Sequence, residues 1–98
     1  MYGEEVDLCF RAKQAGAKVQ YLSDYKIYHY KGGSSQNGFR SAVIGEYKGL
    51  ITFYKKHFPS KIKTLKTVLK LGALLRVILF AIIDSDKSKT YLKAYKSI

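Results

Sequence analysis

A single cysteine, Cys9, in a chain of 98 residues excludes internal disulfides and the usual cysteine-rich zinc site. A reducing compartment is the natural setting. Acidic side chains are also scarce, seven against eighteen basic ones, which gives a formal net charge of +11. Intrinsic disorder is nevertheless excluded, because 47% of the residues are hydrophobic and 14% aromatic. There is no room for two full domains, so the length fits one small domain or a piece of a larger one. Met1, Tyr2, Gly3, Glu4 and Glu5 supply neither a basic n-region nor an apolar h-region, so no signal peptide is expected at this start. The sixteen residues 68–83 are interrupted by Lys70 and Arg76 and fall short of the ~20 apolar residues a spanning helix needs. No internal repeat or low-complexity tract is present.

The charge that is present is unevenly placed. Residues 1–24 carry Glu4, Glu5, Asp7 and Asp24 against Arg11, Lys13 and Lys18, whereas residues 25–98 carry fifteen basic side chains against Glu46, Asp84 and Asp86. A basic body of this kind suits nucleic acid, an anionic membrane or a phosphorylated ligand.

Periodicity divides the chain near Gly38. Residues 4–15 read as a helix, with acids in the first turn and Gly16 as a left-handed stop. Val6, Cys9, Phe10 and Lys13 share a face, and Cys9 reads as an inert core thiol. Residues 18–22 and 25–30, rich in Val, Ile and Tyr, are expected to be strands separated by a turn at Ser23-Asp24. A glycine-serine loop follows over 31–38. Beyond it, Ile44, Tyr47, Ile51, Tyr54 and Phe58 recur at three- and four-residue steps, the spacing of a helix over 39–57. Gly45 and Gly49 weaken that helix by up to about 1 kcal/mol each relative to Ala, so tertiary packing is expected to hold it. Pro59 opens a further helix through Ile83, and a short lysine-rich helix over 87–96 closes the chain.

Two constellations carry chemistry. Glu4, Glu5 and Asp7 crowd three carboxylates into one helical turn; mutual repulsion raises proton affinity and can make a general base. The plain alternative is a helix start decorated with acids for its dipole. His29 stands at the end of an apolar strand and opens onto Lys31, Gly32, Gly33, Ser34 and Ser35, where imidazole can ligate a metal and backbone N–H groups can hold phosphate oxygens. Alternatively the histidine is simply hydrogen-bonded and the loop a plain connection. The thirteen residues from Gly16 to His29 are long enough to return the chain to the start of the first helix.

Tyr2-Gly3-Glu4-Glu5-Val6-Asp7-Leu8-Cys9-Phe10-Arg11-Ala12-Lys13, with Gly16, Tyr21-Leu22 and His29-Tyr30-Lys31-Gly32-Gly33-Ser34-Ser35, resembles the C-terminal half of family-2 glycosyltransferases, particularly bacterial rhamnosyltransferase-like members. A looser likeness extends through Phe53 to His57. The resemblance implies an α/β fold: the C-terminal part of a GT-A nucleotide-diphospho-sugar transferase over residues 1–38 (helix, strand, strand), followed by a basic amphipathic helical tail over 39–98. It implies an inverting enzyme of cell-surface polysaccharide synthesis that moves a sugar, rhamnose among the candidates, from a nucleotide-sugar to a hydroxyl of a glycan or lipid-linked acceptor.

In that reading Glu5 is the general base, occupying a place where the family usually carries Asp, and Glu4 and Asp7 bind acceptor. Residues Lys31, Gly32, Gly33, Ser34 and Ser35 contact the donor diphosphate. His29 is a ligand of Mg²⁺ or Mn²⁺, completed by an Asp-x-Asp motif expected before Met1 in a nucleotide-binding half, without which the chain is not expected to turn over. The implied location is the cytoplasm, with the inner face of the cytoplasmic membrane as one option within it.

The contrasting class is a small basic non-catalytic module that binds anionic membrane or nucleic acid. Tyr47, Lys48, Tyr54, Lys55 and Lys56 mix rings and charge as single-strand binders do, but no recognition motif accompanies them, and nucleic acid is disfavoured. The flanking lysines leave residues 68–83 with two expectations, burial against protein or interfacial contact with anionic lipid. Because half of the sheet implied by the resemblance would lie outside this chain, exposed apolar surface and self-association are expected of the chain by itself.

Overall fold

A computed structural model of the chain describes residues 2–28 and 38–98. Its elements are α1 (Glu4–Gln14), α2 (Gly38–His57), a 3-10 turn (Pro59–Lys61), α3 (Ile62–Ile83) and α4 (Ser85–Ser97). The helical period over 39–57 and the acid-rich start of α1 are realised within a residue of the expected bounds. α1 ends where glycine permits it to: Gly16 adopts φ +84°, and the Ala17 N–H turns back to donate to the Ala12 carbonyl at 2.9 Å.

The α/β expectation is overturned, since the described residues contain no strand. Residues 18–22 and 25–28 have Val, Ile and Tyr in plenty, yet they run outside regular structure, with only the Ser23-Asp24 turn formed as expected. The reason is the lack of a partner. A two-stranded hairpin is marginal in water unless further strands or a helix cover one face. Here Tyr21 is 92% and Tyr28 96% exposed. The helix-strand-strand unit of a GT-A transferase is therefore not the architecture of these residues. The last two positions of the second expected strand, 29 and 30, and the loop over 31–37 lie outside the described residues.

α2, α3 and α4 pack on one another around Val43, Tyr47, Ala73 and Ala94. Ala73 and Ala94 have no exposed surface, and alanine at these places lets the helices approach closely. Leu69, Tyr91 and Ile98 close over this centre, and the Phe80 and Tyr91 rings stack nearly parallel with centroids 5.8 Å apart. Thr90 is buried but satisfied, its hydroxyl donating to the Asp86 carbonyl at 2.8 Å. Two polar ties cross between α3 and α4: Ser88 Oγ donates to the Val77 carbonyl at 3.0 Å, and Lys66 Nζ to the backbone oxygen of Ile98 at 2.7 Å.

One residue separates α3 from α4. Asp84, extended at φ −157°, accepts the Lys87 N–H at 3.1 Å and pairs with Lys87 Nζ at 3.0 Å. It thus caps a helix that begins two residues before the expected Lys87. No helix among the described residues is long and apolar enough to cross a membrane.

Candidate functional site

The carboxylate-rich turn is held against α2 by three kinds of contact. Gly45 and Gly49, one helical turn apart, leave a groove in α2 into which Tyr2 and Gly3 fit. A Cβ at position 45 would overlap the Tyr2 ring, and one at position 49 would overlap the Tyr2 carbonyl. Tyr2 itself sits at φ +98°, a region costly for a residue with a side chain, so this packing holds it against a backbone preference. One turn further on, Phe10 inserts among Phe53, His57 and Phe58 with centroid distances of 5.3, 4.5 and 5.5 Å.

Between the groove and the aromatic cluster lies Asp7. Its Oδ1 accepts from His57 Nε2 at 2.6 Å, Lys56 Nζ lies 3.0 Å from both oxygens, and Arg11 Nε donates to Oδ2 at 2.8 Å. Since an ionised carboxylate only accepts, the His57 proton in this contact is on Nε2. The His57 hydrogen bond foremost, then that of Lys56, hold the Asp7 carboxyl well below the usual carboxylate range; desolvation opposes them, and the Arg11 hydrogen bond adds a lesser lowering.

These contacts frame an open cleft of about 480 Å³. Tyr2, Gly3, Glu4 and Asp7 form one wall, and Gly45, Lys48, Gly49, Thr52, Phe53 and Lys56 the other. Glu4 and Asp7, expected at an acceptor site, both line it. Glu5 is exposed in the first turn of α1 and does not line the cleft. Among the described residues it has no hydrogen-bond or ion-pair partner, unlike Asp7. His29, Lys31, Gly32, Gly33, Ser34 and Ser35 lie outside the described residues, so their expected grouping with Glu5 has no geometry here.

The described residues contain no group of three His, Cys, Asp or Glu side chains able to hold a metal ion. His57, the histidine among them, is committed to Asp7. The expected ligand of Mg²⁺ or Mn²⁺, His29, lies outside the described residues.

Lys56, His57 and Phe10 as the clamp on α1 were not legible as a site. Lys56 and His57 meet Asp7 across 49 and 50 residues. The local signals were the i, i+3, i+4 spacing of Asp7, Phe10 and Arg11 and the Lys-His-Phe end of α2. The apolar face expected on α1 is also corrected: Val6 is more than half exposed and Cys9 is an exposed free thiol, while Phe10 is inserted. Compared with protein-family models, with curated proteins and with solved structures, the chain matches none of them.

Proposed function

We propose that this chain is part of an inverting glycosyltransferase and supplies its general base. The observation that carries the reading is the contrast between two carboxylates two residues apart: Asp7 is tied by Lys56, Arg11 and the His57 ring, while the Glu5 carboxylate stands exposed and, among the described residues, without a partner on the same turn. A base must be free to accept a proton and held in place while doing so. The docking of Tyr2, Asp7 and Phe10 on α2 supplies the second requirement. The sequence likeness over residues 1–35 supports the substrate class, and the proposal rests on those residues and on this contrast rather than on a sheet.

In the reaction, an acceptor hydroxyl of a glycan or lipid-linked carrier attacks the anomeric carbon of a nucleotide-sugar. Its proton passes to a Glu5 oxygen, a new C–O bond forms with inversion, and the bond to the nucleoside diphosphate breaks, with the electron pair leaving on the diphosphate. Glu4 and Asp7, on the wall of the cleft, adjoin the acceptor side, and the sequence likeness assigns Lys31, Gly32, Gly33, Ser34 and Ser35 to the donor diphosphate. Rhamnose is one candidate sugar, and the setting is the bacterial cytoplasm, its membrane face included.

The test is Glu5→Gln, which keeps the shape of the side chain and removes the proton acceptor. Transfer from a nucleotide-sugar, assayed in the polypeptide that also supplies the donor-binding residues, should fall about 10²–10⁴-fold with donor affinity little changed. Near-normal turnover in that variant would refute the role of Glu5.

A further inference from the structure

α3 has two apolar sides, and the bundle uses only one. Leu69, Ala73 and Phe80 face α4 and the core. Val68, Leu71, Leu75, Ile78, Leu79 and Ile82 recur at helical spacing on the other side and are 57 to 93% exposed. The span from Val68 to Ile82 is about 21 Å of helix. Single exposed aliphatic residues are ordinary, but a continuous stripe of this length is a surface that water covers at a cost.

Charge identifies the occupant. Between residues 59 and 98 stand nine basic side chains against Asp84 and Asp86. Those two acids are already paired with Lys87 and Lys89. Lys63 and Lys70 are exposed on α3 itself, and Lys93 and Lys96 on α4. A second copy docked on this stripe by a two-fold axis would bring two lysine-rich hairpins together, like charge against like. An anionic bilayer instead meets the aliphatic stripe with acyl chains and the lysines with headgroups. Spanning is not required, since α3 needs only to lie in the interfacial plane.

We propose that the outward side of α3 is a docking surface for an anionic membrane, with α3 lying flat in the headgroup boundary. The amphipathic unit is the α3–α4 hairpin rather than α3 alone, because one side of α3 is already occupied by the core. This surface stands independently of the part Glu5 plays in catalysis.

Co-sedimentation of the whole chain with lipid vesicles tests the proposal. Binding is expected to vesicles of phosphatidylglycerol and phosphatidylcholine in equal parts, with affinity at least tenfold weaker for pure phosphatidylcholine and falling as salt is raised. The combined variant Leu75→Gln, Ile78→Gln and Ile82→Gln should lose more than a hundredfold in vesicle affinity with unchanged helical circular dichroism. Lys63→Gln with Lys70→Gln should lose about tenfold or more on the anionic vesicles alone. Should the triple variant lose its helical signal, Ile82→Gln alone, at the most exposed of the six positions, should still cost several-fold. Equal binding to both vesicles, binding to neither, or full binding by the glutamine variants would overturn the proposal. So would a solution dimer that the triple variant abolishes.

Discussion

Residues 2–28 and residues 38–98 are comparably supplied with large apolar side chains, yet only the second region builds a core. In α2, α3 and α4 the chain turns back on itself at Phe58–Lys61 and at Asp84, so each helix finds a neighbour within a few residues. The first region reaches α2 through Tyr2, Gly3, Asp7 and Phe10, and Tyr21, Tyr25, Ile27 and Tyr28 remain exposed. Apolar content is thus necessary for burial, while a partner surface within reach decides it.

The largest effect should come from the heart of the second region. Tyr47→Ala removes a large side chain only 9% exposed and should cost about 3 kcal/mol of unfolding free energy, measured by urea denaturation. A cost below about 1 kcal/mol would show that the two regions are less different than their packing.

A smaller and more discriminating effect concerns the groove that seats α1. Alanine favours an α-helix over glycine by about 1 kcal/mol. Gly45→Ala should nevertheless lower stability, because its Cβ would meet the Tyr2 ring. In a Tyr2→Ala background the same substitution should raise stability by up to about 1 kcal/mol. Hydrogen exchange of α1 amides should accelerate in the single variant while α3 and α4 stay protected. A gain from Gly45→Ala with Tyr2 intact would mean that α1 is not seated there.

The smallest effect is a pH dependence confined to α1. Asp7 is held below its ordinary value of 3.8, so the protein binds the proton there less readily than the unfolded chain. The contribution is therefore fully present above that value and is lost as the pH falls below about 4. Melting temperature followed from pH 6 to pH 2 should fall more steeply in the native chain than in Asp7→Asn. Parallel curves would remove the clamp as a source of acid sensitivity.

The helices were legible because their signals are local. Ile44, Tyr47, Ile51 and Tyr54 mark one side of α2, Gly16 ends α1, and Pro59 marks the break before α3. The strands were misread because Val19, Tyr21, Ile27 and Tyr28 express only a preference, which acts when a sheet edge is at hand. For the candidate site, the crowding of Glu4, Glu5 and Asp7 was visible, but the tethering of Asp7 was not. It depends on Lys56 and His57 arriving from the far end of α2, a coincidence of tertiary structure that no window of sequence contains. The side of α3 that stays exposed was equally hidden, since Leu69 and Leu71 look alike until α4 covers one of them.

The single residue between α3 and α4 fixes the rotational phase of one helix against the other. Each residue of helix advances its side chains by about 100° around the axis. Asp84 ends α3 and caps α4 at once, so no slack separates the two counts. The hairpin can therefore accept many changes of side chain along its outer surfaces, but it is intolerant of changes in length. One residue added inside either helix would carry Thr90 and Ala94, or Ala73, away from the seam where they now meet, and would turn outward a different set of side chains.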